Sequence, residues 1–451
     1  MKNFFKKKNE SANFIQSYDM ACNKTYRNVL DCTCIYKSPM VNICAEACAC
    51  CWDKPVPQSF GDKLKYLANR ANTGHTSIFE HSNLVLYIEI SDQYIPELLD
   101  IIDTIRYLET AVRYSTKTHT YHALIGGTLA GYYHLLNNIR NFHNNVLNDI
   151  IQNLYMYAPS AAFETLINDG ILERDQFSDI DDTDINSNEN YDGITIYHKS
   201  IITCGDHIDI RNLDSIDLLV NNIKYCCADP EIFDIADLIR MVSCTVLFKN
   251  MSRTATHQLV RHRNGITQES QRYVNYSNAA FANPATFKPD KYDKNHRYFI
   301  RFGGIDFEMT LEEIGLAEQG IYGWLQDPIL AGEEYHLLKE DARAFLPSNI
   351  ICKKLYMTYT YKNLFKFLQL REDKHAQVEI RLAASELGVM IRDTLGNMNI
   401  DFGDIYDYTK PYYILKDKIE ENKLMKIENE ESNKNDNWVE EVIDNINKEE
   451  Q

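Results

Sequence analysis

Residues 253–273 read RTATHQLVRHRNGITQESQRY. Four arginines (Arg253, Arg261, Arg263 and Arg272) crowd this stretch, together with His257, Gln258, His262, Ser270 and Gln271. Arginine offers a planar fork of donors suited to phosphates and to planar heteroaromatic acceptors. Ser and Gln add hydroxyl and amide donors beside it. Few carboxylates neighbour these cations in sequence, so the stretch is expected to build an anion pocket rather than a surface ion-pair cluster. It does so in an acidic chain. Lys and Arg number 47 against 65 Asp and Glu, for a net charge of −18, which argues against a general nucleic-acid coat.

Working outward, CTVLF (244–248) reads as a strand just before the cluster, and 311–344 and 361–394 read as helical after it. Arg343 sits in ARAFLP, where Pro347 stops the pattern, and Arg371, His375 and Glu379 recur every four residues, as on one helix face. Upstream, 41–73 reads as helix with a break at Pro55–Pro57. LVLYIEI (84–90) reads as a strand, and 94–148 carries helical apolar spacing. An acidic loop is expected over 174–193. Counted from Asp182, its EF-hand positions six and twelve are Ser187 and Gly193 rather than Gly and Glu, which speaks against calcium.

At 451 residues with 44% hydrophobic and 25% charged, the chain has ample material for a core and for two to three domains. No apolar run is long enough for a membrane helix, and MKNFFKKKNE lacks an apolar h-region, so a cytoplasmic protein is expected. Seven of twelve cysteines lie in the first 51 residues, Cys44, Cys48 and Cys51 on one helical face. Without a second CxxC or HxxxH pair they read as reduced structural thiols rather than a metal site, and no metal is expected. From Lys416 on, six Lys face twelve Asp and Glu, the pattern of a solvated acidic tail over 416–451.

Four elements in order along the chain, three of them bearing arginine, together resemble the flavin-dependent thymidylate synthases. That family's signature is RHR, seven residues, then Ser, commonly followed by Arg and Tyr. Here RHRNGITQESQRY supplies the fixed residues with six between Arg263 and Ser270. GHTSIFEH (74–81) matches the family's upstream Gly-His and Glu-His element, while RAFLP and LREDKHAQVEI match the two downstream ones. The resemblance implies an α+β fold, a twisted antiparallel sheet flanked by helices, with a large, mainly helical insertion. It implies the reductive methylation of dUMP at C5, with methylenetetrahydrofolate as carbon donor and NADPH-reduced FAD as hydride source, in a homotetramer with shared active sites. Carried over by position, Gln258, Arg261, Gln268, Glu269, Ser270, Gln271, Arg272, Arg343 and Arg371 would hold dUMP, with Arg371 as the catalytic, ring-activating residue. His81, Asn83, Arg261, His262, Arg263, Gln268 and Lys366 would meet FAD. No cysteine is needed as nucleophile.

The short loop after Arg263 leaves the shared flavin and nucleotide position at Gln268 when aligned from Ser270, or at Glu269 when counted from Arg263. Either LVLYIEIS or CTVLFKNMS could be the family's strand. The expected organisation is an extension (1–40), a discontinuous catalytic region (41–91 with 237–415), an inserted, mostly helical block (92–236) and the tail. His119, His122, His134 and His143 of the insertion are expected on helices as satisfied or surface residues. Two other readings compete: a related C5 hydroxymethylase or modified-pyrimidine synthase, and an arginine-rich nucleic-acid-binding protein.

Overall fold

A computed structural model describes residues 29–38, 40–139, 144–157, 202–204, 207–262 and 265–397. It is an α+β chain that divides into two compact units. The first comprises Met1–Glu46, Val56–Lys199 and Asp214–Val242, and the second Ala47–Pro55, Ser200–Leu213 and Ser243–Gln451.

The first unit is built on an antiparallel four-stranded sheet. Its strands are β1 (Leu30–Lys37), β2 (Leu84–Ile90), β3 (Leu108–Ser115) and β4 (Thr120–Gly127), in the order β1-β2-β4-β3. LVLYIEI is buried almost throughout because helices cover the sheet, so its β-branched and aromatic residues fill both faces. Two helices flank the expected Pro break, α1 (Met40–Cys51) and α2 (Phe60–Ala71), the latter capped by Ser59. The stretch 94–148 is not helical throughout, as its spacing suggested. Helix α3 (Ile95–Thr104) gives way to the hairpin β3–β4, and helices return with α4 (Leu129–Ile139) and α5 (Asn145–Tyr157), and further on α6 (Ile216–Cys226) and α7 (Ile235–Met241). The expected mostly helical block therefore supplies two strands to the same sheet as β2.

His122 accordingly lies on strand β4, and His119 in the turn before it at φ +58°. The His122 ring is fully buried and bonded to Tyr87 Oη (2.7 Å) and to the hydroxyls of Thr118 and Thr120 (3.0 and 3.1 Å), a satisfied core histidine. His134 is on α4, while His143, the loop at 174–193 and the tail lie outside the described residues.

The second unit carries an antiparallel five-stranded sheet in the order β5-β6-β7-β11-β8. Its strands are β5 (Ile202–Cys204), β6 (Ile208–Leu213), β7 (Ser243–Ser252), β8 (Gly265–Gln268) and β11 (Ile351–Thr360). Strands β7 and β11 form its long centre, in a register that pairs Leu247 with Tyr356 and Thr245 with Thr358, whose hydroxyls bond at 2.8 Å. A separate hairpin, β9 (Tyr298–Phe302) and β10 (Ile305–Met309), is followed by helix α9 (Leu311–Gln326), which starts in a Thr310–Glu313 capping box.

The pattern read as one helix over 361–394 is two, α10 (Tyr361–Arg371) and α11 (Val378–Asn397). Glu372 ends the first because its carboxylate turns inward to Arg392 of the second (2.6 Å, side chains 6% and 4% exposed). Gly388 leaves the space for this pair: a Cβ there would collide with both Glu372 and Arg392. No helix among the described residues is long and apolar enough to cross a membrane.

Candidate functional site

The arginine-rich stretch folds in the second unit as a short helix, a tight turn and a strand. Helix α8 (Arg253–Leu259) is capped by Ser252, whose Oγ accepts from Ala255 N at 3.1 Å. Its last turn runs on into the 3-10 turn Val260–His262. Phe367 of α10 packs edge-on against His262, with ring centroids 4.9 Å apart, and against Phe248 of β7. That contact places His262 over the end of α10, where Arg371 stands.

Arg371 Nε donates to His262 Nε2 at 2.9 Å. Its Nη1 and Nη2 donate at 3.4 Å to Gln258 Oε1 and to the Gln258 carbonyl oxygen. An imidazole accepts at Nε2 only when neutral with its proton on Nδ1. Burial, with Arg371 and Lys366 beside it, lowers the His262 pKa to about 4, so the ring is neutral at pH 7. Arg371 therefore rests on neutral acceptors and keeps an N–H on each Nη undirected. Burial first, and then Arg261, lowers its pKa from that of free arginine.

Arg253 Nη1 donates to Gln268 Oε1 at 2.9 Å. Strand alternation on β8 puts Gln268 on the Arg253 side, while Glu269 is buried at 1% exposure, where its Oε2 accepts from Lys353 N (2.8 Å). Of the two alignments left open by the short loop, the Gln268 side chain is thus the one that joins the arginines. Burial raises the Glu269 pKa. Among the described residues no ion pair engages Arg253, Arg261 or Arg371, and Arg261 and Lys366 are exposed.

The other expected residues are placed differently. Ser270 Oγ accepts from Arg272 N (3.2 Å), in a turn where Gln271 is half-buried. Arg272 has an acid partner after all. Its Nη2 lies 3.0 Å from Glu340 Oε2, both side chains are about half exposed, and the guanidinium lies over the Tyr273 ring. Arg343 opens an exposed 3-10 turn, Arg343–Phe345. His375 does not share a helix face with Arg371, because the helix has ended. It is exposed and its backbone N–H donates to Asp373 Oδ1 (2.8 Å), while Glu379 reaches Ser252 instead.

His81 and Asn83 belong to the first unit and are 0% and 2% exposed. Asn83 Nδ2 donates to Asp214 Oδ2 (2.7 Å) and to the Met241 carbonyl (2.8 Å), and burial drives the His81 pKa down to about 3. Arg263 lies outside the described residues. The sequence reading missed Gln377, which accepts from Gln258 Nε2. Its signal is present in the HAQVE run, but on an unbroken helix Gln377 would lie about 240° round from Arg371.

The second unit is thus an α+β domain in which a short helix and a helix end gather arginines around neutral amide and imidazole acceptors. Residues 233–395 match the family model described as thymidylate synthase complementing protein. The CTVLF strand is inside the matched segment, while GHTSIFEH and LVLYIEI are outside it. Among curated relatives, the flavin-dependent thymidylate synthase of Nitratidesulfovibrio vulgaris is 32% identical over 158 residues, 35% of this chain and 59% of the relative. That of Corynebacterium efficiens is 29% identical over 153 residues, 33% of this chain and 56% of the relative. The chain thus spans little more than half the length of these relatives. A crystal structure of thymidylate synthase X from Helicobacter pylori with FAD and dUMP aligns at 16% identity. The alignment covers 40% of this chain and 91% of that one, with a TM-score of 0.28, too distant a likeness to bear on the reading.

Proposed function

We propose that this protein is a flavin-dependent thymidylate synthase that methylates dUMP at C5, drawing carbon from methylenetetrahydrofolate and hydride from FAD reduced by NADPH. The observation that carries the reading is the state of Arg371. It is a half-buried guanidinium held by His262 and Gln258 rather than by a carboxylate, so its charge is left for a ligand.

The donor set fits both partners. Arg261, His262, Gln268 and Lys366 offer cations and amide or imidazole groups, which suits the diphosphate and ring of FAD. When bound, that cofactor supplies the hydride. Arg253 and Ser270 flank the same stretch. Arg343 and Arg272 are the cations proposed for the phosphate end of dUMP.

Uracil C5 is a weak nucleophile. A fixed cation beside N3 and a carbonyl oxygen stabilises the enolate-like ring that attacks carbon, and fixed donors need no reorganisation at the moment of reaction. Arg371, held at Nε by His262 and at both Nη by Gln258, would do this with its remaining Nη protons. We further propose assembly as a homotetramer.

The test is a spectrum. The full chain incubated with FAD and desalted is expected to be yellow, to bleach anaerobically with NADPH, and to recover its colour on addition of dUMP and methylenetetrahydrofolate. A colourless protein would end this reading.

A further inference from the structure

We propose that Gln377 is a positioning residue, which sets the amide orientation of Gln258 and through it the direction of the Arg371 guanidinium. The inference deepens the proposed function and rests on it for its catalytic consequence, but not for its geometry.

The chain of contacts is continuous. Gln258 has an oxygen end and a nitrogen end, and only the oxygen can accept from Arg371 Nη1. Its Nε2 donates to Gln377 Oε1, which leaves Oε1 toward the guanidinium. A flipped amide would put two donors face to face and strip Arg371 of a partner. The Gln258 carbonyl and His262 would remain, but both sit on the backbone path leaving α8, so neither distinguishes the two amide orientations.

The same five-residue run braces the helix at its other end. Glu379 Oε1 and Oε2 accept from Ser252 N and Oγ, each at 2.5 Å, and Ser252 is the N-cap of α8. Burial raises the Glu379 pKa while the two Ser252 donors oppose that shift. A carboxylate so enclosed pins the start of α8, and Gln377, two residues earlier and exposed, meets the Gln258 side chain one residue before its end. The loop between α10 and α11 thereby serves the arginine that precedes it. Because Gln377 is exposed, its replacement leaves the core intact, whereas Glu379 variants would strand the buried Ser252 donors.

Two readouts test this in the full chain. The first needs no ligand: histidine-selective NMR titration of His262. Arg371 helps depress this ring, so a guanidinium released by Gln377→Met should let the His262 midpoint rise clearly from about 4. The second is single-turnover flavin reoxidation with dUMP and methylenetetrahydrofolate. Gln377→Met is expected to slow it about tenfold, with NADPH reduction of the flavin unchanged. Gln377→Glu, which keeps the acceptor, should restore most of the rate. An unmoved His262 midpoint in Gln377→Met overturns the proposal, as does a reoxidation rate equal to the parent's. If the parent takes up no FAD, the proposed function falls, and the His262 titration still decides the role of Gln377.

Discussion

Arg371 Nε donates to His262 Nε2 at 2.9 Å, a hydrogen bond that exists only while the imidazole is neutral. The pairing links the RHR turn to the end of α10 through two residues separated by 109 positions.

Arg371→Lys should cut turnover at saturating dUMP by roughly 10²–10³-fold, the scale of losing one fixed donor to a developing oxyanion. Lysine keeps the charge but cannot bond His262 and both Gln258 oxygens at once. Flavin reduction by NADPH should continue. Stopped-flow reoxidation of the reduced flavin checks the split, and a parental rate would remove Arg371 from the ring-activating role.

Arg343 and Arg272 should differ in binding. Arg343→Ala is expected to weaken dUMP by about 2 kcal/mol, roughly thirtyfold, with turnover preserved. Arg272 must first release Glu340, an exposed partner worth about 0.2–1 kcal/mol. Glu340→Gln should therefore tighten dUMP a few-fold. Equilibrium titration with dUMP reads both, and weaker binding in Glu340→Gln would show that Arg272 does not serve the nucleotide.

His81 should make the first unit acid-sensitive. Its pKa is about 3 folded against 6.5 for a free histidine, so the unfolded chain takes up the proton first as pH falls. The stabilisation is whole above about pH 6.5 and is lost toward pH 3, on the order of a few kcal/mol. Urea melts of the full chain at pH 7 and 4.5 should show a steeper loss in the parent than in His81→Phe. Equal losses would place the acid sensitivity elsewhere.

Gly388→Ala should destabilise the second unit by about 1–3 kcal/mol through the collision with Glu372 and Arg392. Arg392→Met should cost about 3–5 kcal/mol, because it leaves a buried carboxylate unpaired. Thermal melts rank the two, and Glu372→Gln combined with Arg392→Met should recover much of the second loss.

Much of this molecule is legible in its sequence where one local signal dominates. LVLYIEI and CTVLF are strands because β-branched and aromatic runs fill a doubly covered sheet, and Pro55–Pro57 separates two helices as proline must. Strands β3 and β4 were hidden, since LETAVRYS and TYHALIGG are short apolar runs between true helices, and eight residues do not separate the two periodicities. The stop after Arg371 has no Gly or Pro to announce it. A tertiary pair, Glu372 with Arg392, makes it, and with it went the expected Arg371–His375–Glu379 stripe. Gln258, His262 and Arg371 were each named, but their mutual bonding depends on that stop. His81 ends the GHTSIFEH element and Asn83 lies two residues on; both are buried in the first unit, where the Asn83 amide bonds Asp214, a partner no local pattern announces.

A guanidinium steadied by an amide and an imidazole, rather than by a carboxylate, broadcasts its charge to whatever enters. Selection among anions then falls to shape, since Arg371 itself cannot tell a uracil edge from chloride, phosphate or a product nucleotide. Such a centre trades buffering for reach: ions of the medium compete with the substrate, and its efficiency should decline with ionic strength more steeply than that of a site whose arginine is already paired.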